Sequence, residues 1–314
     1  MREKVNGFVG VMAVAILCMV SGLCMVWGIA PVVLAVYVAA CAVCGRYMIT
    51  CIGCAAGVAA GSMGIAGLLH ADEYMIPGSV YSGVMVTEKY LVLLGLAMCL
   101  MKIVYSRNSR SYVRVIVVMS AAVLMGNIVV YADNMLMAAA YGVVEAAIFM
   151  CASVILKPGI GLLYTYICGD ASDVERDESW NVSQGIVSLM ALAAVVLWVV
   201  PGEDIYGVNP AFMLALVLIL YAVYRTGAVY GCGMAAVAGS IVSVKLNDSR
   251  WLMWMLLVTL VMLIGRALTG RRKVSASLFY VLGCVLASVA DGTVLWNGSG
   301  REIAFYYINI AVPV

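Results

Sequence analysis

The chain has 314 residues, of which 65% are hydrophobic and only 11% charged, with a mean hydropathy of +1.08. A soluble globular domain carries about 25% charged and about 45–50% apolar residues, so this composition excludes a chain whose surface faces water throughout. The formal net charge of +2 is uninformative as a total, and beyond basic loops nothing supports nucleic-acid binding.

Apolar residues come in continuous blocks near the roughly 20 residues that cross a bilayer. Lipid admits only helices or closed barrels, and the blocks do not alternate as barrel strands do. The expected fold is all-α, a polytopic integral membrane protein with about 10–12 transmembrane helices. Arg2-Glu3-Lys4 opens the chain like a secretory signal, but the run from Phe8 to Trp27 outlasts a signal core of about 7–15 residues and reads as an uncleaved first helix. The spans in chain order are 8–27, 29–44, 47–69, 90–105, 112–131, 135–156, 183–200, 210–224, 226–244, 252–269 and 274–290. Segment 74–87 is mixed and reads as a surface element. Segment 159–168 is apolar but short, and reads as interfacial or re-entrant. A last apolar run, 303–314, is short for a full crossing.

Cytoplasmic loops are enriched in Lys and Arg. With the N-terminus inside, Arg46, the Lys102, Arg107, Arg110 and Arg114 group, Lys157, Arg225, and the Arg266, Arg271, Arg272 and Lys273 group also fall inside. His70 to Glu73, Asp133, Glu203 and Asp204 fall outside, and a completed last run would bring the C-terminus inside. One loop disagrees: Lys245, Asp248 and Arg250 lie outside with a slight positive excess. The predicted location is a membrane crossed several times, with the N-terminus on the cytoplasmic side. Residues 169–182 hold five acids and one arginine. They divide the chain into a first membrane half, 1–168, an acidic polar loop, 169–182, and a second membrane half, 183–314.

The halves share a local pattern. Pro31 precedes Arg46 by fifteen positions and Pro210 precedes Arg225 by the same interval; a glycine-rich helix follows each arginine. Residues 52–62 and 230–240 agree at five of eleven positions. Gly53, Gly57 and Gly61 form one stripe at four-residue spacing. Gly231 and Gly239, with Ala235 between them, form the second, and Gly233 lies in the same helix. Small residues at this spacing let helix backbones approach closely, either within the chain or in self-association.

Cys41, Cys44, Cys51 and Cys54 have the spacing of a four-thiolate metal site. The outer two sit in apolar helices, where a cluster of thiolates is costly, so packing is the expected role and neither metal nor cofactor is predicted. Glu145 is the intramembrane carboxylate and therefore the first candidate for function. Its readings are a proton or cation site, a polar contact with a residue such as Asn127, or a hydrogen-bonded acid that fixes helix contacts. No phosphate loop, zincin motif or nucleophile elbow occurs, and the chain is not expected to be an enzyme.

Three stretches, with the span layout, resemble the N-terminal membrane domain of stage II sporulation protein E. They are Gly28-Ile-Ala-Pro31 leading to Arg46 and the glycine-rich helix; Val208-Asn-Pro210 to Ser243, with Gly227, Gly231, Gly233 and Gly239; and Gly265-Arg266 through Gly270 and Lys273 to Gly283. The closing run from Ile303 to Pro313-Val314 fits as well. The resemblance implies a membrane anchor that places a metal-dependent serine phosphatase at the asymmetric septum, where it activates a compartment-specific sigma factor. It further implies the lipid bilayer, self-association and cell-division proteins as partners. The family continues into an oligomerising region and the phosphatase; this sequence ends at Val314, which reads as a truncation or a membrane-only relative. The alternative function is a small-solute or ion transporter with its site at Glu145.

Overall fold

The structure is a computed structural model that describes residues 2–23, 31–62, 80–104, 109–132, 134–168, 182–200, 209–270 and 273–291. All regular structure among them is helical, in eleven helices: α1 (Arg2–Leu23), α2 (Pro31–Cys44), α3 (Tyr47–Ser62), α4 (Val80–Val104), α5 (Ser109–Val130), α6 (Met135–Cys168), α7 (Val182–Val199), α8 (Pro210–Arg225), α9 (Ala228–Lys245), α10 (Arg250–Thr269) and α11 (Lys273–Asp291). Four stretches are long and apolar enough to cross a membrane: Tyr112–Val130 of α5, Met135–Ile167 of α6, α9 and α10. The outer surface agrees with a lipid environment. Val92 is 71% exposed and Leu136 83% exposed, and many other large apolar side chains are exposed as well, far more than a water-soluble monomer displays.

The helices group into two compact units, Met1–Val195 and Val196–Val314. In the first, α2 is the core. Every residue from Pro31 to Cys41 is buried, as expected of a helix that is apolar all round. Its neighbours are α1, α3, α4 and α6. Gly45, at φ +63°, ends α2 by donating its N–H to the Cys41 carbonyl (3.0 Å), a backbone geometry in which a side chain is strained. In the second unit α9 packs on α8 and α10, and α11 packs on α10. Asn209 caps α8 by accepting from the Phe212 N–H (2.9 Å), with Pro210 following in the first turn, where its missing donor costs nothing.

Two sequence expectations need correction. Residues 159–168 are no separate element: α6 runs unbroken through Pro158 to Cys168. Proline costs a helix one internal hydrogen bond, and here the neighbouring Gly159 N–H is turned outward to the Ser188 hydroxyl of α7. At about 1.5 Å per residue α6 is roughly 51 Å long, more than the hydrocarbon core of about 30 Å. Likewise, residues 80–87 are the start of α4, which therefore begins ten residues before the expected span. Segment 74–79, the acidic residues 169–181 and the run 303–314 lie outside the described residues, as do His70, Arg107, Arg271 and Arg272. Arg110 and Lys273 belong to α5 and α11, and Arg114 is exposed on α5.

The glycine stripes are used inside the chain. A Cβ on Gly53 would lie 2.7 Å from the Ala15 carbonyl oxygen, and one on Gly57 would press on the Met19 carbonyl and lie 2.9 Å from the Gly22 Cα. The first stripe is thus covered by α1, and Gly61 is buried as well. In the second copy Gly231 faces Val223 of α8, Gly239 faces Leu252 of α10, and Gly233 is half-buried. The two copies therefore share a pattern of small residues but not a packing partner. Gly57→Leu should lower the thermal midpoint of the detergent-purified protein and separate α1 from α3. Gly95→Ala, where nothing lies within 4 Å of the added Cβ, should leave the midpoint unchanged or raise it, since alanine is the better helix former. Equal tolerance of both substitutions would show that the α1–α3 approach does not hold the unit together.

Candidate functional site

The polar centre of the first unit is assembled from α4, α5 and α6. Helices α5 and α6 are joined by a short turn, and Asn134 starts α6 by accepting from the Met137 N–H (3.1 Å), the usual work of an N-cap asparagine. This antiparallel pairing brings Asn127 of α5 beside Glu145 of α6. The Asn127 Nδ2 donates to Glu145 Oε2 (2.7 Å) and also to the Val123 carbonyl (3.1 Å).

Helix α4 supplies the partners that the sequence reading did not identify. Lys89 Nζ lies 2.8 Å from Glu145 Oε2 and donates to Asn127 Oδ1 (3.1 Å), and the Tyr90 hydroxyl donates to the same Glu145 oxygen (3.0 Å). One carboxylate oxygen thus accepts from an ammonium, an amide and a phenol. Side-chain exposure is 4% for Lys89 and 20% for Glu145. Glu145 is therefore an ion-paired carboxylate with the Asn127 contact and two further donors. Gly126 makes room for the lysine: a Cβ there would sit 3.1 Å from Lys89 Cγ. Among the described residues no donor reaches the second oxygen, Oε1.

Lys89 escaped the sequence reading because Glu88-Lys89 looks like a charged flank placed before a span that starts at Tyr90. A signal was nonetheless present. Lys89, Tyr90, Leu93, Leu94, Ala97 and Met101 recur at helical spacing and are all buried, whereas Glu88 is exposed. Adjacent helix positions point in different directions, so the lysine belongs to the inward stripe and the glutamate to the outer face.

The cluster stands at one level of the helices. Tyr131 and Tyr141 stack one turn nearer the α5–α6 turn, with ring centroids 5.3 Å apart. On its other side the inward faces become largely apolar. Leu94, Ala97 and Met101 of α4, Met119 and Val123 of α5 and Phe149 of α6 are almost wholly buried. Within this layer the Ser120 hydroxyl bonds back to the Ile116 carbonyl of its own helix (2.8 Å). Polar groups return only farther along, where the Tyr112 hydroxyl donates to the Ser153 carbonyl (2.6 Å) and Lys157 lies over the Tyr112 ring.

The cysteines do not form a comparable centre. The Cys41 thiol contacts the Thr50 hydroxyl (3.2 Å), and Cys54 points to the Val33 carbonyl at 4.0 Å. Among the described residues no group of three or more His, Cys, Asp or Glu side chains could hold a metal. In the discordant 245–250 loop the charges are locally engaged. Lys245 donates to the Val200 carbonyl, and Arg250 pairs with Asp248 at 2.7 Å. The hydrogen bonds from Arg250 hold the Asp248 carboxyl below its ordinary pKa.

No protein-family model, curated protein or solved structure matches the chain.

Breaking a buried ion pair from one side costs about 3–5 kcal/mol, because a lone charge is left behind, whereas an apolar replacement of both partners is often neutral. Lys89→Met should therefore unfold the purified protein at a markedly lower temperature, and Lys89→Met combined with Glu145→Leu should recover most of the loss. A single variant as stable as the parent would mean that the pair does not clamp α4 to α6.

Proposed function

We propose that the chain is a membrane anchor and localisation module without catalytic machinery of its own, the role implied by its resemblance to the membrane domain of stage II sporulation protein E. The observation that carries this reading is the pairing of the intramembrane charge within its own unit. Glu145 is neutralised by Lys89 from the same unit, its Oε2 is filled by three donors, and the cluster is backed by a largely apolar layer. A transport path needs further polar stations or water beyond its first site, and the inward faces of α4, α5 and α6 offer an apolar layer there instead. A net-neutral clamp suits a rigid scaffold.

In this reading the module crosses a bacterial cell membrane several times with its N- and C-termini in the cytoplasm. It holds a serine phosphatase at the asymmetric septum, among cell-division proteins, so that a compartment-specific sigma factor is switched on. Self-association would use surfaces other than the first glycine stripe, whose Gly53 and Gly57 already meet α1. The rival reading, a small-solute or ion transporter centred on Glu145, draws its support from the open Oε1.

A fluorescent protein fused to the chain should concentrate at the asymmetric septum of a sporulating bacterium, and Glu145→Leu with Lys89→Met should retain that pattern if the fold survives. An even spread around the cell membrane would sink the septal assignment. Substrate-dependent uptake by proteoliposomes of this chain, lost in Glu145→Gln, would replace the anchor with the transporter.

A further inference from the structure

The second unit contains a groove that neither its helix packing nor the anchor reading uses. Val217, Leu220, Tyr221 and Tyr224 of α8 face Ala276 and Ser277 of α11 across a space of about 300 Å³. That is the lower end of the range for pockets that hold small molecules. The α8 residues recur at three- and four-residue spacing, so they form one stripe that ends beside Arg225, the last residue of the helix. The two α11 residues belong to its opening turns. The groove therefore reaches the helix ends, with an apolar floor and two tyrosines towards its mouth.

Charge at that mouth is of one sign. Arg225 is exposed and has no acidic partner among the described residues. Arg266 of α10 reaches the same helix end, where its guanidinium donates to the Val223 carbonyl. The sequence has no Asp or Glu from Ile205 to Asn247, and none from Ser249 to Ala290, so no acid in α8, α9 or α10 offsets these cations, and α11 has none before Asp291. An apolar slot whose stripe runs to a helix end carrying Arg225, with Arg266 bonded to the last turn, matches a molecule with a hydrocarbon tail and an anionic head. Tyrosine favours the headgroup level, and basic pockets between membrane helices bind anionic lipid heads.

We propose that the α8–α11 groove binds an anionic phospholipid, one acyl chain lying along Val217, Leu220 and Tyr221 and the phosphate resting on Arg225. Zwitterionic lipid lacks the net charge to use that arginine, and free phosphate lacks the tail.

The test uses the full chain in detergent, titrated with phosphatidylglycerol or phosphatidylcholine and read by native mass spectrometry. One phosphatidylglycerol per chain should be retained in preference to phosphatidylcholine. Arg225→Gln should weaken that retention about fivefold, the effect of one basic residue at a membrane surface, while Arg225→Lys should preserve it. Ala276→Leu, which narrows the groove, should weaken both lipids. The Arg225 pair carries the test even if Ala276→Leu fails to fold, because Arg225 is exposed at a helix end. Equal retention of both lipids, an unchanged Arg225→Gln, or displacement by inorganic phosphate alone would overturn the proposal.

Discussion

The interior of a bilayer contains no water to solvate a charge, and the first unit is organised around that lack. A lysine and a glutamate there must find one another or stay unpaired at a cost of several kcal/mol. Lys89 and Glu145 are remote in sequence, yet their contact at 2.8 Å ties α4 to α6 at one fixed height, although each backbone packs on α2 and α5 rather than closely on the other. Asn127, bonded to both, sets α5 in the same register. Helix association in lipid has little hydrophobic drive of its own, so a polar contact of this kind fixes sliding and rotation that apolar packing alone leaves loose.

Close backbone approach supplies the remaining cohesion. At Gly53 and Gly57 the backbone of α1 occupies the space that a side chain would need, and dispersion contacts grow in number as helices draw together. Gly126 uses the same economy of volume for another purpose, leaving room for the aliphatic stem of Lys89. Small residues thus serve both the apolar and the ionic parts of one unit.

Much of this was legible in the sequence, but unevenly. Block length and the scarcity of charge identify helices in lipid, and Pro31 and Pro210 mark the starts of α2 and α8 where the structure has them. Glu145 stood out because a carboxylate within an apolar run has no bland surroundings. Its partner did not, since a lysine beside an exposed glutamate resembles the edge of a span, and only the helical stripe through Leu93, Leu94, Ala97 and Met101 betrays its inward direction. The continuity of α6 through Pro158 was hidden for a different reason. It goes with a hydrogen bond from Gly159 to Ser188, a contact between distant residues that no local rule contains.

The burial of α2 bears on how the protein is made. From Pro31 to Cys41 the helix is wrapped on every side and offers lipid no surface, and at about 1.5 Å per residue its fourteen residues reach only roughly 21 Å. Part of its sheath, α6, is synthesised long after α2 has left the ribosome. During that interval α2 must wait in the membrane or at the insertion machinery with its final neighbours missing, and the arrival of α6 completes its enclosure. Biogenesis of this unit is therefore committed late, by a C-terminal partner, although its core is among the first segments made.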